Sequence, residues 1–107
     1  MPEEEVNNMS KSKTIVIPVT LDTKGEESKY LKEQIEHKGH KTIVIDAGVL
    51  GKPLFKPDIS RQSVARAGGK SLGELVEAAK KGADRSEATN VMIEGVKKIV
   101  GKLHAQG

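Results

Sequence analysis

The sequence predicts an α/β fold: an incomplete parallel sheet of the Rossmann-like, doubly wound kind, in which one βαβ unit is followed by two or three helices. Two β-branched runs carry the prediction. Lys13 to Thr20 (KTIVIPVT) and His40 to Ala47 (HKTIVIDA) are continuous stretches of the type buried on both faces of a parallel sheet. The third observation is the helical stretch between them, which makes the unit a right-handed crossover with parallel strands. Two strands have two open edges and do not stand alone as a parallel layer. Completion by another chain or subunit is therefore expected, with a short strand hidden in residues 49–59 as a further route.

Taken in order, residues 1–12 lack any periodic apolar pattern and are expected to be a disordered leader, with Met9 as an alternative start. In the first strand Pro18 has no amide to donate, so it belongs at the strand end or where no ladder bond is needed. The next helix is expected to open on a capping box of Thr23 and Glu26, to place Leu31 and Ile35 on one face, and to stop at Gly39. Beyond Gly48 the stretch VLGKPLFKPDIS has neither period and reads as a partly buried loop. Asp58 or Ser60 then caps a short helix through Ala67, ended by Gly68 and Gly69. Ser71 with Glu74 is a second capping box, opening a helix with Leu72, Leu75, Val76 and Ala79 in one stripe. The last helix opens on Asp84 with Glu87, or on Ser86; Ala88, Val91, Met92, Ile99, Val100 and Leu103 fit its apolar face, and Gly95 and Gly101 permit close packing.

Composition removes several functions. At 107 residues the chain is a single domain. No cysteine is present, which excludes disulfides, zinc-thiolate sites, iron–sulfur clusters and thiol nucleophiles. The absence of a spanning apolar run or a basic, greasy start predicts no membrane partner and a cytoplasmic location. Eighteen basic residues against fifteen acidic ones leave a small surplus, and Tyr30 and Phe55 lie outside any basic cluster, so no nucleic-acid partner is expected. His37, His40 and His104 make no metal-binding spacing, and no serine sits in a GxSxG elbow. The GGKS at 68–71 lacks the first glycine of a P-loop, has Val64 in its place, and follows a helix rather than a strand.

The turn leaving the first strand, Thr20, Leu21, Asp22, Thr23, Lys24 and Gly25, is the strongest chemical constellation. Ligands of open α/β sheets bind outside the carboxyl ends of the strands, and a helix N-terminus favours an anion. Thr20, Thr23 and Lys24 add hydroxyls and a cation, and Gly25 lets backbone approach a phosphate. Asp22 repels a phosphate unless a metal or ribose hydroxyl intervenes, so it points away or holds Mg²⁺. Asp46, ending the second strand, stands where dinucleotide folds hold a ribose hydroxyl, although the glycine fingerprint is missing. Arg85, beside a helix start, is a further phosphate contact. The plain alternatives are a capping threonine, a solvated lysine, a loop-capping aspartate and a surface arginine.

Four segments in order carry a family resemblance: Thr-Leu-Asp-Thr-Lys-Gly-Glu-Glu at 20–27, Asp-Ala-Gly-Val-Leu-Gly at 46–51, Pro-Asp-Ile-Ser at 57–60 and Asp-Arg-Ser-Glu-Ala at 84–88. Over roughly 13–107 the chain resembles the ATP-binding domain of the tomato mosaic virus resistance protein and its uncharacterised bacterial and fungal relatives. That resemblance implies a partial α/β nucleotide-binding domain over 13–107, with ATP, alone or with Mg²⁺, near the 20–25 turn. The chain departs from the family in having Val19 where a glycine precedes the threonine, and in ending before the family's next strand and glycine-rich loop. The expected function is a nucleotide-phosphate binding module of a larger assembly, as a homo-oligomer or with a chain carrying the rest of the domain. A self-associating or partner-binding fragment, and a subunit of a Mg-dependent phosphate-handling enzyme, are the alternatives; no catalytic base is identifiable.

Overall fold

A computed structural model describes residues 12–80 and 85–106, without the side chains of Arg85 and Gln106. The described chain runs β1 (Thr14–Val19), α1 (Leu21–His37), β2 (Lys41–Asp46), α2 (Arg61–Ala67), α3 (Leu72–Lys80) and α4 (Arg85–Gln106). The strands are parallel, with Thr14 opposite Lys41 and Val19 opposite Asp46. The fold is α/β, an incomplete Rossmann-like βαβ unit with three further helices. The expected leader, Ser12 apart, and the expected cap Asp84 lie outside the described residues.

Alternation along the strands divides the core in two. Ile17 and Val44 pack with Leu21 on the face covered by α1, with Ile15, Val19 and Ile35 alongside. Val16, Ile43 and Ile45 face the other way, against Val64 and Ala65 of α2, Leu75 of α3, and Ala88 and Met92 of α4. The strands are therefore apolar throughout because helices lie on both faces.

The free side of β2 is partly closed from within the chain. Ile59 forms a single parallel bridge with Ile45, the Asp46 amide donates to the Ile59 carbonyl at 3.0 Å, and the Asp58 carboxylate accepts from the Val44 amide at 2.7 Å. The short strand considered within 49–59 is thus one bridging residue, and Asp58 serves β2 while Ser60 caps α2, its hydroxyl accepting from the Ser63 amide at 3.2 Å. On β1 the ladder ends at bonds from the Lys41 and Ala47 amides to the Lys13 and Val19 carbonyls. Odd-numbered β1 residues therefore point their backbone groups at β2, and Thr14, Val16 and Pro18 point theirs outward. Pro18 stands where no ladder bond is needed.

The start of α1 differs from the capping-box expectation. The helix begins at Leu21 with Thr20 before it, and the Thr20 carbonyl accepts from the amides of Thr23 at 3.3 Å and Lys24 at 2.8 Å. Lys24 then departs from helical geometry at φ −118°, ψ 24°. Leu21 is the cause: its side chain is fully buried and its amide donates to Asp46, drawing the chain into a turn three residues early. Elsewhere capping follows the sequence, since Ser71 and Glu74 form the reciprocal box with both amide bonds at 3.3 Å, and Gly39 at φ +90° ends α1.

Of the two glycines of α4 singled out for packing, only Gly95 serves it. A Cβ on Gly95 would overlap the Val64 carbonyl of α2, as one on Gly68 would overlap that of Val91, whereas Gly101 faces open space. Gly95→Ala is expected to destabilise the domain by about 1–3 kcal/mol, as overpacking does. Gly101→Ala is expected to stabilise it by up to about 1 kcal/mol through helix propensity; urea unfolding of both variants checks the contrast. A second outcome concerns Glu36, which accepts from Lys32 and Thr42, both at 2.8 Å, and ties the end of α1 to β2. These bonds, that from Lys32 foremost, hold its carboxyl below the ordinary glutamate value of about 4.5. A depressed carboxyl contributes stability that is present above its unfolded value and lost as pH falls through the folded one. The melting-temperature gap between the native protein and Glu36→Gln should therefore shrink below about pH 4.5.

Candidate functional site

At the carboxyl ends of both strands the chain leaves a cleft of about 530 Å³, walled by the β1–α1 turn, the loop after β2, and α4. Pro18, Val19, Val49, Leu50, Met92, Ile93 and Val96 make most of the wall aliphatic; Thr20, Asp22, Thr23, Thr89 and Lys97 supply polar groups. Val19 lines this mouth without closing it.

The loop wall is held by a buried ion pair. Asp46 follows an apolar strand, so its carboxylate is carried inward and needs partners there. Arg61, the first residue of α2, supplies the main one: Nε donates to Oδ2 at 2.9 Å, with side chains only 1% and 7% exposed for Asp46 and Arg61. The other oxygen, Oδ1, accepts from the Gly48 amide at 2.9 Å and the Leu21 amide at 3.3 Å. Arg61 Nη1 in turn donates to the carbonyls of Gly51 at 2.7 Å and Leu50 at 3.3 Å. One salt bridge thus joins the end of β2, the start of α1, the start of α2 and the loop 48–51.

Two glycines let this loop close. A Cβ on Gly48 would stand 2.7 Å from Asp22 Oδ1 and 2.8 Å from Arg61 Nη2, and Gly51 combines φ +77° with a close approach to the Asp22 side chain. Asp22 Oδ1 and Arg61 Nη2 lie 4.0 Å apart, and neither has a hydrogen-bond partner among the described residues. The long pair leaves Asp22 leaning on the guanidinium's charge while its side chain borders the cleft.

The sequence-selected residues separate accordingly. Thr20, Asp22 and Thr23 line the cleft, the two threonine hydroxyls 2.8 Å apart. Leu21 is fully buried and contributes only its amide, to Asp46. The side chain of Lys24 is 63% exposed beside Glu27 at 3.7 Å and is not among the cleft residues. The space above Gly25 is taken by the Leu54 side chain, whose own amide donates to the Leu21 carbonyl at 3.3 Å. Asp46 is enclosed by Arg61, Gly48 and Leu21, and the Arg85 side chain lies outside the described residues. Arg61, Thr89 and Lys97 escaped the sequence reading. Only Arg61 had a usable signal: a carboxylate ending a buried strand requires a cation, and an arginine opens the next helix.

Asp22, the residue expected either to point away or to hold Mg²⁺, borders the cleft. A guanidinium nitrogen lies 4.0 Å from its buried oxygen, and no group of three His, Cys, Asp or Glu side chains able to hold a metal occurs among the described residues. Nor is any described helix long and apolar enough to cross a membrane.

Fold and cleft define a βαβ domain with a ligand-sized opening at the ends of its strands. Residues 13–107 match the model described as the N-terminal domain of Uncharacterised protein family UPF0261, and the chain belongs to that family. It is 46% identical over 92 residues to a UPF0261 protein of Clostridium tetani, covering 86% of this chain and 22% of the relative. A UPF0261 protein of Brucella suis is 30% identical over 96 residues, covering 90% of this chain and 22% of the relative, and one of Brucella melitensis matches equally. The chain therefore spans about a fifth of the length of these relatives. No solved structure matches it. This corrects the resemblance drawn from sequence: the matched family and relatives carry the UPF0261 description, and nothing links them to the tomato mosaic virus resistance protein. The physical reason lies in the segments that suggested it. Asp46, Gly48, Gly51, Asp58 and Ser60, from two of the four, serve the loop's own bonding and packing and so report its architecture.

Arg61→Ala is expected to cost about 3–5 kcal/mol, because it strands a buried carboxylate. Asp46→Asn paired with Arg61→Met, which leaves no net buried charge, should recover part of that loss; chemical denaturation of the single and double variants checks the ordering.

Proposed function

We propose that this domain forms one side of a nucleotide-binding site, with the ligand in the cleft at the carboxyl ends of β1 and β2. The carrying observation is that Thr20, Asp22 and Thr23 face a cleft of about 530 Å³ at the position where open α/β sheets receive ligands. Its size falls within the ~300–1,000 Å³ of small-molecule sites, and its make-up, aliphatic walls with a few polar groups, is of the same kind. The base packs on Val49, Leu50, Met92 and Ile93, the threonine hydroxyls and Asp22 meet ribose hydroxyls, and Lys97 supplies the cation for phosphate. Lys24 has no part in this arrangement because it does not line the cleft, whereas Lys97, similarly exposed and 3.4 Å from Glu94, does. Any Mg²⁺ arrives on the nucleotide's own phosphates. The reading ends at binding.

Isothermal titration with ATP tests it on the whole chain. Lys97→Ala is expected to weaken binding about tenfold, equivalent to about 1.4 kcal/mol, with Lys24→Ala indistinguishable from the native chain. Absence of heat from folded protein would sink the proposal, and equal losses in both variants would move the phosphate back to the 20–25 turn.

A further inference from the structure

We infer that the outer edge of β1 is a docking edge for an extended aliphatic strand contributed by the part of the longer family proteins that this chain does not match. The edge is defined by backbone chemistry. Ladder bonds to the Lys13 and Val19 carbonyls put the odd-numbered groups of β1 against β2, so the amides of Thr14 and Val16 and the carbonyls of Thr14, Val16 and Pro18 face away from the sheet. Among the described residues no backbone bond reaches that side, whereas the far side of β2 is engaged by Asp58 and Ile59.

The side chains say what kind of strand fits. β1 is sandwiched, with Ile17 buried against the α1 layer and Val16 packed against the α2–α4 layer. A neighbour in the same sheet enters the same two apolar layers and must itself be aliphatic on both faces. Met92, Ile93 and Val96 of α4 stand across the cleft from Pro18 and Val19, and Ile93 is 46% exposed. Length identifies the supplier, since this domain is only 22% of the curated relatives, and in them far more chain is available to cover it. Pro18 limits the pairing. With no amide at residue 18 the outer ladder loses a donor, so the added strand pairs along Thr14–Ile17 and diverges beside the cleft, where the loop joined to it forms a further wall. The inference does not depend on nucleotide binding.

Amide exchange read by NMR tests it on two intact proteins, this chain and the full-length Clostridium tetani relative. In this chain the Thr14 and Val16 amides should exchange near the open-chain rate while Ile15 and Ile17 are protected. At the aligned positions of the relative, the outer pair should slow by roughly 100-fold or more. Fast exchange of the outer pair in the full-length relative overturns the inference. Protection of Thr14 and Val16 in this chain alone also overturns it: sedimentation as a monomer then means that the edge is closed internally, and as a dimer that a second copy takes it. ATP titration reads none of these outcomes, so the two proposals fail separately.

Discussion

The arrangement of this domain turns on a single buried charge. Asp46 ends a strand with helices on both its faces, and a carboxylate delivered to such a place is tolerable only if it is bonded on every side. Arg61 neutralises it, two amides complete it, and the guanidinium's remaining reach extends to the carbonyls of Leu50 and Gly51. An ion pair of this kind adds little to net stability, but its directional bonds leave one geometry for four chain segments. The walls of the cleft inherit that geometry.

The same constraint explains the chemistry of the β1–α1 turn. Three of the amides that would greet an anion at a helix start are engaged already, that of Leu21 by Asp46 and those of Thr23 and Lys24 by the Thr20 carbonyl. What the turn presents to the cleft is hydroxyl and carboxylate character instead of a cationic nest. The polar groups suited to an anion come from α4, which the loop clamp leaves facing the strand ends. In the proposed reading the domain is one side of a site, as the sheet is one side of a layer, with both openings at β1.

Much of this was legible in the chain. The β-branched runs marked the strands because burial on both faces removes any polar alternation. Ser60, Ser71 with Glu74, Gly39 and Gly68 marked helix ends because each satisfies or relaxes a local backbone requirement. The capping box assigned to Thr23 and Glu26 was misleading for the opposite reason: burial of Leu21 and its bond to a residue 25 positions away overrode the local signal. Lys24 and Gly25 looked like ligand-facing residues, yet one points to solvent and the other lies beneath Leu54, facts set by packing across the chain.

Local order along the chain therefore determined the α/β class, the strand–helix–strand unit and most of the helix stops, since these depend on residues close in sequence. The fate of Asp46, the role of Arg61 and the recruitment of Thr89 and Lys97 to the cleft were decided only in three dimensions. Each is a relation between segments many residues apart, and a charge or an amide acquires its partner only after the hydrophobic layers have fixed which segments meet.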